Sequence, residues 1–385
     1  MLRFLDAGES HGKGIATIVE GLPYGIPIRA GEIESELNRR RLGYGRSGRM
    51  GLEKDVVEVF SGVRLGVTLG SPLTMLVRNA EYEKWYEAMR ADGERKGEDM
   101  TRPRPGHADL AGALKYGTRD VRDILERASA RETVGRVCAG AVAKRLLGFL
   151  DVYIYSHVLA VGGIKAESAV VTPGLEEIKR ADEDPMRCLD AAASGRMREE
   201  VDLAREQGDS LGGVFEVIAY GLPAGIGSHV HWDRRLDARL AASVTAIQAI
   251  KGVEFGDGFA LAGMRGSQAV DSISHEERRG FFHPTNHAGG LEGGMTNGET
   301  LVVRAAMKPI PTLASPLDSV DLVTKEKVKA AVERADSCAV PAAAVVAESA
   351  VAFVLADALL EKLGGDNLEG IQARYKKMLR EQADF

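Results

Sequence analysis

Cysteine is scarce in this chain, and its three copies, Cys138, Cys188 and Cys338, form no C-x-x-C pair. An odd, scattered set excludes a disulfide framework and the usual zinc spacings, so no metal site is expected and a reducing cytoplasm is. Charge-free apolar runs are short: none approaches the roughly 18 residues that a membrane-spanning helix needs. No apolar signal segment stands ahead of Gly8, and the expectation is a cytoplasmic protein without export or membrane contact. No G-x-G-x-x-G follows a strand and opens a helix, and no Walker sequence occurs, which removes the commonest nucleotide folds. The net charge of −6 argues against a nucleic-acid partner, whose phosphates call for a basic surface.

What is present is repetition. Gly21-Leu22-Pro23-Tyr24-Gly25-Ile26 returns as Gly221-Leu222-Pro223-Ala224-Gly225-Ile226. Gly62, Gly66, Thr68, Gly70 and Leu73 return as Gly290, Gly294, Thr296, Gly298 and Leu301, and Glu126-Arg127-Ala128-Ser129 returns as Glu333-Arg334-Ala335-Asp336. Three pairs in one order argue for an internal duplication, too long in period for a solenoid. The halves are placed at about 8–150 and 208–361, joined by an acidic connector at about 173–208, within a single domain spanning 1–385. Each copy of the last motif is expected to open a long helix that is apolar on almost every face, as only a buried or membrane helix can be. Lys144, Arg145, Glu348 and Asp357 interrupt these helices, which places them in a soluble core, packed on each other.

Alternation and turn residues predict strands at 2–5, 14–19, 56–60, 73–77, 152–160, 214–220 and 301–306, and helices at 30–41, 109–116 and 234–251. Residues 81–105, polar and interrupted by proline, read as a lid carrying Trp85 and Tyr86. The final twenty or so residues read as loosely held.

The chemistry lies in a coincidence of residue types. His11 sits in the turn Gly8-Glu9-Ser10-His11-Gly12, and His107 follows Arg104-Pro105-Gly106. Arg40, Arg46, Arg49, Arg104, Arg131 and Arg334 accompany them at loops and element ends. Guanidinium forks suit phosphate and carboxylate, and glycine-rich turns offer backbone N–H groups to the same oxygens. Imidazole is the natural donor of a proton to a departing phosphate, a role worth roughly 10²–10⁴ in rate. Blander readings exist for each: an exposed loop histidine, a solvated arginine cluster, and Asp336 as a helix cap. Arg127 and Arg334 at helix starts would oppose the helix dipole and need an anion or a neighbouring acid. Taken by themselves, these residues describe an enzyme acting on a phosphorylated anion.

Five segments in order resemble chorismate synthase: GESHGKGIATIVEGLP at 8–23, RPGHADLAGALKYG at 104–117, ERASARETVGRVCAGAVA at 126–143, KPIPT at 308–312 and ERADSCAVPAAAVVAESA at 333–350. The resemblance spans nearly the whole chain. It implies a lyase of the shikimate pathway that converts 5-enolpyruvylshikimate 3-phosphate to chorismate and phosphate by 1,4-anti elimination, with reduced FMN and no net oxidation. The implied fold is α+β, a β-α-β sandwich with long buried helices between two antiparallel sheets and a pseudo-twofold axis, assembled as a homotetramer. By resemblance, His11 protonates the leaving phosphate, His107 meets the flavin ring and Asp336 assists removal of the ring hydrogen. Flavin contacts are implied for Arg127, Ala128, Ser129, Gln248, Ala249, Gly293, Lys308, Pro309, Ile310, Pro311, Thr312 and Arg334. Arg40 and Arg46 match positions that hold NADP in the family, and with Ser10, Arg49 and Arg131 they also suit the substrate's phosphate and carboxylates. NADPH as the reductant, against an external one, stays open. Ala128 and Ala335 replace serines common in the family, removing hydroxyls worth roughly 0.5–1.5 kcal/mol each where they hydrogen-bond. Two other readings of the same residues are a flavin oxidoreductase fed by NADPH and a phospho-ligand-binding protein that uses the Arg39–Arg49 loop.

Overall fold

Alternating apolar residues build the first sheet. In Gly14–Glu20, Ile15, Thr17 and Val19 turn inward while Ile18 faces out, as the two-residue period of a strand requires. The computed structural model describes the chain except residues 47–54, 95–96, 168–171, 278 and 334–335. Among the described residues, β1 (Arg3–Ala7), β2 (Gly14–Glu20), β3 (Val57–Ser61) and β4 (Leu73–Arg78) form an antiparallel sheet in the order β1-β2-β4-β3. A second antiparallel sheet contains β5 (Tyr153–Val161), β6 (Ile164–Lys165), β7 (Gly213–Tyr220), β8 (Ile250–Phe255) and β9 (Leu301–Met307), in the order β8-β9-β7-β5-β6. Leaving out the short β6, the second sheet repeats the order of the first.

Local chemistry repeats too. The Thr68 hydroxyl donates to the Pro23 carbonyl at 2.7 Å and accepts the Ile26 N–H at 2.9 Å. Thr296 does the same with Pro223 at 2.6 Å and Ile226 at 2.9 Å. A buried hydroxyl that both donates and accepts satisfies the backbone of a tight corner that no strand covers.

Four helices carry the core: α1 (Ala30–Arg41), α2 (Thr133–Gly148), α3 (Leu236–Thr245) and α4 (Val340–Leu363). α4 packs on α2, α3, β5 and β7, whereas α2 packs on β2, so the paired helices bury one flank against each sheet. Their backbones approach closely at Gly140, where an added Cβ would fall 2.2 Å from the Ser349 Cβ. α4 is long and apolar enough to cross a membrane, yet it is buried inside the fold.

Several expectations need correction. Glu126-Arg127-Ala128 does not open the long helix; it closes a short one, Arg122–Ala128, because Ser129 turns extended and its hydroxyl accepts the Arg131 N–H of the next turn. Arg127 therefore sits in a last helical turn, where a cation suits the dipole. Asp336 does not cap α4, whose N-cap is Ala339 with a proline in the first turn. α3 stops at Thr245 rather than 251, since Ala249 adopts φ +66° and Ile250 already pairs with Met307. The C-terminal segment is not loose: helix Leu368–Ala383 buries Leu368, Ile371 and Tyr375. Residues 173–208 leave and re-enter one sheet between β6 and β7, and the chain passes between the sheets at 149–152.

One buried charge ties these layers. Glu348, midway along α4 and 0% exposed, accepts from Arg39 at 2.6 Å, Lys144 at 2.5 Å, Arg187 at 3.1 Å and the Ser156 hydroxyl at 2.5 Å. Burial alone would raise its pKa, but the three cations hold the carboxyl far below the ordinary range. A depressed folded pKa stabilises the protein above the unfolded value near 4.3, and that stabilisation is lost as pH falls. Glu348→Ala, which leaves Arg39, Lys144 and Arg187 with only Glu36 and Asp182 as acid partners among the described residues, is expected to cost about 3–5 kcal/mol in denaturant unfolding; a loss under 1 kcal/mol would remove the network from the stability account.

Candidate active site

The turn at 8–12 is held from below. Gly8 takes φ +129°, and a Cβ there would lie 2.1 Å from the Gly14 carbonyl oxygen, so only glycine fits. The Asn79 side-chain amide donates to the carbonyls of Glu9 at 3.1 Å, Ser10 at 3.2 Å and Gly12 at 2.8 Å. Ser10 N–H donates to the Glu126 carbonyl at 2.9 Å, and the Ser129 hydroxyl donates to that of Ser10 at 3.2 Å.

Each site histidine is backed by a carboxylate. His11 Nδ1 lies 2.9 Å from Glu126 Oε1, and its ring leans on Trp85 with centroids 4.1 Å apart. Burial pulls the Glu126 carboxyl upward, yet the His11 hydrogen bond and charge outweigh it and hold the group below its ordinary range. His107 Nδ1 lies 2.5 Å from Oδ1 of the fully buried Asp109, whose other oxygen accepts from Arg104 Nε at 2.9 Å. The same balance, burial raising and His107 and Arg104 lowering, leaves Asp109 strongly acidic. Arg104 also donates to the Thr312 hydroxyl at 3.0 Å.

Both histidines line one cavity of about 450 Å³, within the 300–1,000 Å³ common for small-molecule sites. Ser10, Arg40, Arg46, Ala128, Ser129, Arg131, Gln248, Ala249, Lys308, Ile310, Pro311, Thr312 and Asp336 share its walls, together with Arg104, which had been placed only by its residue type. Cations dominate the rim. Arg40 donates to the Thr133 hydroxyl at 2.8 Å and the Ala130 carbonyl at 3.0 Å; burial, Arg131 and Arg46 together push its pKa down to about 10. Arg131 is fixed by Asn79 at 2.9 Å and Asp55 at 2.8 Å, and Arg46 meets Asp336 at 2.7 Å. Gln248 donates to Glu132 at 2.8 Å, and Lys308 Nζ donates to the Gly106 carbonyl at 2.6 Å. Ala249 holds its left-handed backbone at the wall, a conformation that costs a non-glycine residue of order 1–3 kcal/mol and clusters at functional sites.

Some expected residues stand apart. Arg127 is 43% exposed and turns from the cavity to Asp6 and the Gly8 carbonyl. Gly293 lies in the 291–296 hairpin beside His229, and Pro309 is passed over between two lining neighbours. Arg49 and Arg334, with Ala335, lie outside the described residues. Glu126, Asp109, Asn79 and Asp55 are functional supports with no role assigned from sequence. Asp109 stands two residues from a site histidine, a usable signal; Asn79 and Asp55 reach the site only through tertiary folding.

Fold and site together define a mixed α/β enzyme with a cation-rich cavity lined by two imidazoles. A family model for chorismate synthase matches residues 2–360. Chorismate synthases of Moorella thermoacetica and Carboxydothermus hydrogenoformans are 57% and 54% identical to the chain, covering 99% and 100% of it and the full length of each relative. A solved structure described as a crystal structure of chorismate synthase superposes with a TM-score of 0.82 at 41% identity, covering 100% of this chain and 99% of its own. The chain belongs to the chorismate synthase family.

The His11–Trp85 contact is open to direct measurement. Trp232→Phe leaves Trp85 as the only tryptophan, so its emission reports the ring that lies 4.1 Å away. Adding His11→Gln should change the intensity or maximum of that emission; a spectrum unaltered by the second change would separate the two rings.

Proposed function

We propose that this cavity converts 5-enolpyruvylshikimate 3-phosphate to chorismate and inorganic phosphate by 1,4-anti elimination, the lyase step of the shikimate pathway. The observation that carries the reading is the convergence of Arg40, Arg46 and Arg131 with both histidines on one cavity. Buried like charges repel, and a phosphate with two carboxylates relieves them. His11 is the donor: as the ring carbon–oxygen bond breaks, the electron pair leaves with phosphate, which takes a proton from imidazole. The carbon–hydrogen pair becomes the new double bond, so one proton leaves the ring for each one phosphate gains. Asp336, paired with Arg46, is assigned to the ring-hydrogen side and His107 to the cofactor side.

Reduced FMN fits the residues present. Ile247, Met307, Ile310, Pro311 and Val346 offer a flat apolar wall, while among the described residues Gln248 Oε1 and Arg40 Nη1 are buried without a hydrogen-bond partner, as a polar ligand edge would require. When bound, reduced FMN supplies an electron-rich surface that lets the elimination proceed without net oxidation. Ala128, Ser129, Gln248, Ala249 and the 308–312 segment are the residues that would hold it, with Arg127, Gly293 and Arg334 as the family's further positions. NADPH against Arg40 and Arg46 is the candidate reductant.

The same reading extends to architecture. The repeated strand order and the twin threonine corners support an internal duplication in one domain, and the contacts of α2 and α4 support a sandwich of two sheets around long helices. A cytoplasmic homotetramer is the assembly proposed.

Anaerobic enzyme with pre-reduced FMN and the enolpyruvyl substrate should release phosphate steadily, and His11→Ala should slow it by roughly 10²–10⁴. Absence of phosphate at every flavin loading would refute the activity.

A further inference from the structure

We infer that Glu126 is the positioning residue for His11, deciding which ring nitrogen carries the transferable proton. The inference rests on His11 being the proton donor. One glutamate grips the histidine twice: Oε1 lies 2.9 Å from Nδ1, and Oε2 accepts the His11 backbone N–H at 2.8 Å. Ring torsion and chain position are thus set by the same group. An ionised carboxylate only accepts hydrogen bonds. Its side chain is 4% exposed, so water does not compete for it, and Nδ1 must bear the hydrogen. Nε2 is then the nitrogen assigned to carry the transferable proton.

Two further groups prevent the ring from turning. Trp85 covers the imidazole at 4.1 Å, and Arg122 lies 4.9 Å over Trp85 while donating to Glu126 Oε1 at 3.0 Å. Arg122 also reaches Glu333, which lines the same cavity, at 3.6 Å. In the step itself, doubly protonated imidazole passes its Nε2 proton to the phosphate oxygen as the carbon–oxygen bond breaks. The neutral ring keeps Nδ1–H on Glu126, and solvent returns a proton equal to the one released from the substrate ring.

The general logic is that of a buried carboxylate fixing a histidine tautomer, known from the serine-protease triad. Tight clamping by Glu126 predicts a defect in turnover rather than in binding. The test is a cycle of wild type, His11→Ala, Glu126→Gln and the double variant, assayed for phosphate release with pre-reduced FMN and the enolpyruvyl substrate. Glu126→Gln should lower kcat by about 100-fold with KM nearly unchanged, and should cost nothing further once His11 is alanine. The ¹⁵N imidazole spectrum of the neutral ring, taken as the difference from His11→Ala, should show the Nδ1-protonated tautomer in wild type and a mixture in Glu126→Gln. Glu126→Asp, which keeps the charge and withdraws it by one carbon, should fall between. An equal loss in both backgrounds, or a fully active Glu126→Gln enzyme beside a slow His11→Ala enzyme, would overturn the inference and leave His11 as donor. A His11→Ala enzyme as fast as wild type would remove the donor and the inference together.

Discussion

Two helices with no polar face impose the architecture. α2 and α4 bury almost every side chain they carry, and a helix that is apolar all round can be stable in water only when covered on every side. Each therefore needs a neighbour helix and a sheet, and each finds both. The close approach at Gly140 and Ser349 fixes their relation. Since both enter this contact from the same end of the cavity, the residues before and within their first turns, Ala128–Thr133 and Asp336–Ala343, become parts of one wall.

Charge is then placed against that apolar frame in two ways. In the core, Glu348 gathers Arg39, Lys144 and Arg187 from separate elements, and the carboxylate is nearly surrounded by donors. Such a knot adds little over a hydrophobic core of equal volume, but removing its buried carboxylate unbalances every cation around it. Arg40, Arg46 and Arg131 line one cavity beside Asp55 and Asp336, and burial, with the neighbouring guanidinium groups, lowers the pKa of Arg40. The core cluster packs its charges against one another around Glu348, whereas the arginines of the second cluster line a cavity that a ligand can enter.

The histidines show the same economy of means. Each lies in a turn that glycine or proline shapes, and each receives a buried carboxylate from a helix: Glu126 from the end of Arg122–Ala128, Asp109 from the start of Asp109–Tyr116. Trp85, carried by the short Tyr82–Met89 helix, reaches across to cover His11. The polar segment at 81–105 therefore meets the site through the Trp85 ring and the Arg104 guanidinium.

The sequence by itself determined seven of the nine strands of the two main sheets, whose period-two alternation is a local property, and the repeated glycine and threonine positions that the fold turns into corners. It also identified the charge-bearing loop residues, because histidine and arginine in glycine-rich turns have few other uses. Helix ends were less legible. Ser129 breaks one helix and Ala249 starts a strand through backbone conformations that tertiary contacts impose, so Arg127 and Asp336 took other places than a linear reading gave them. Only the tertiary structure decided the pairing of Glu126 with His11, of Asn79 and Asp55 with Arg131, and of Arg46 with Asp336. These contacts join residues far apart along the chain, and their energy depends on distance and burial, which no local pattern encodes.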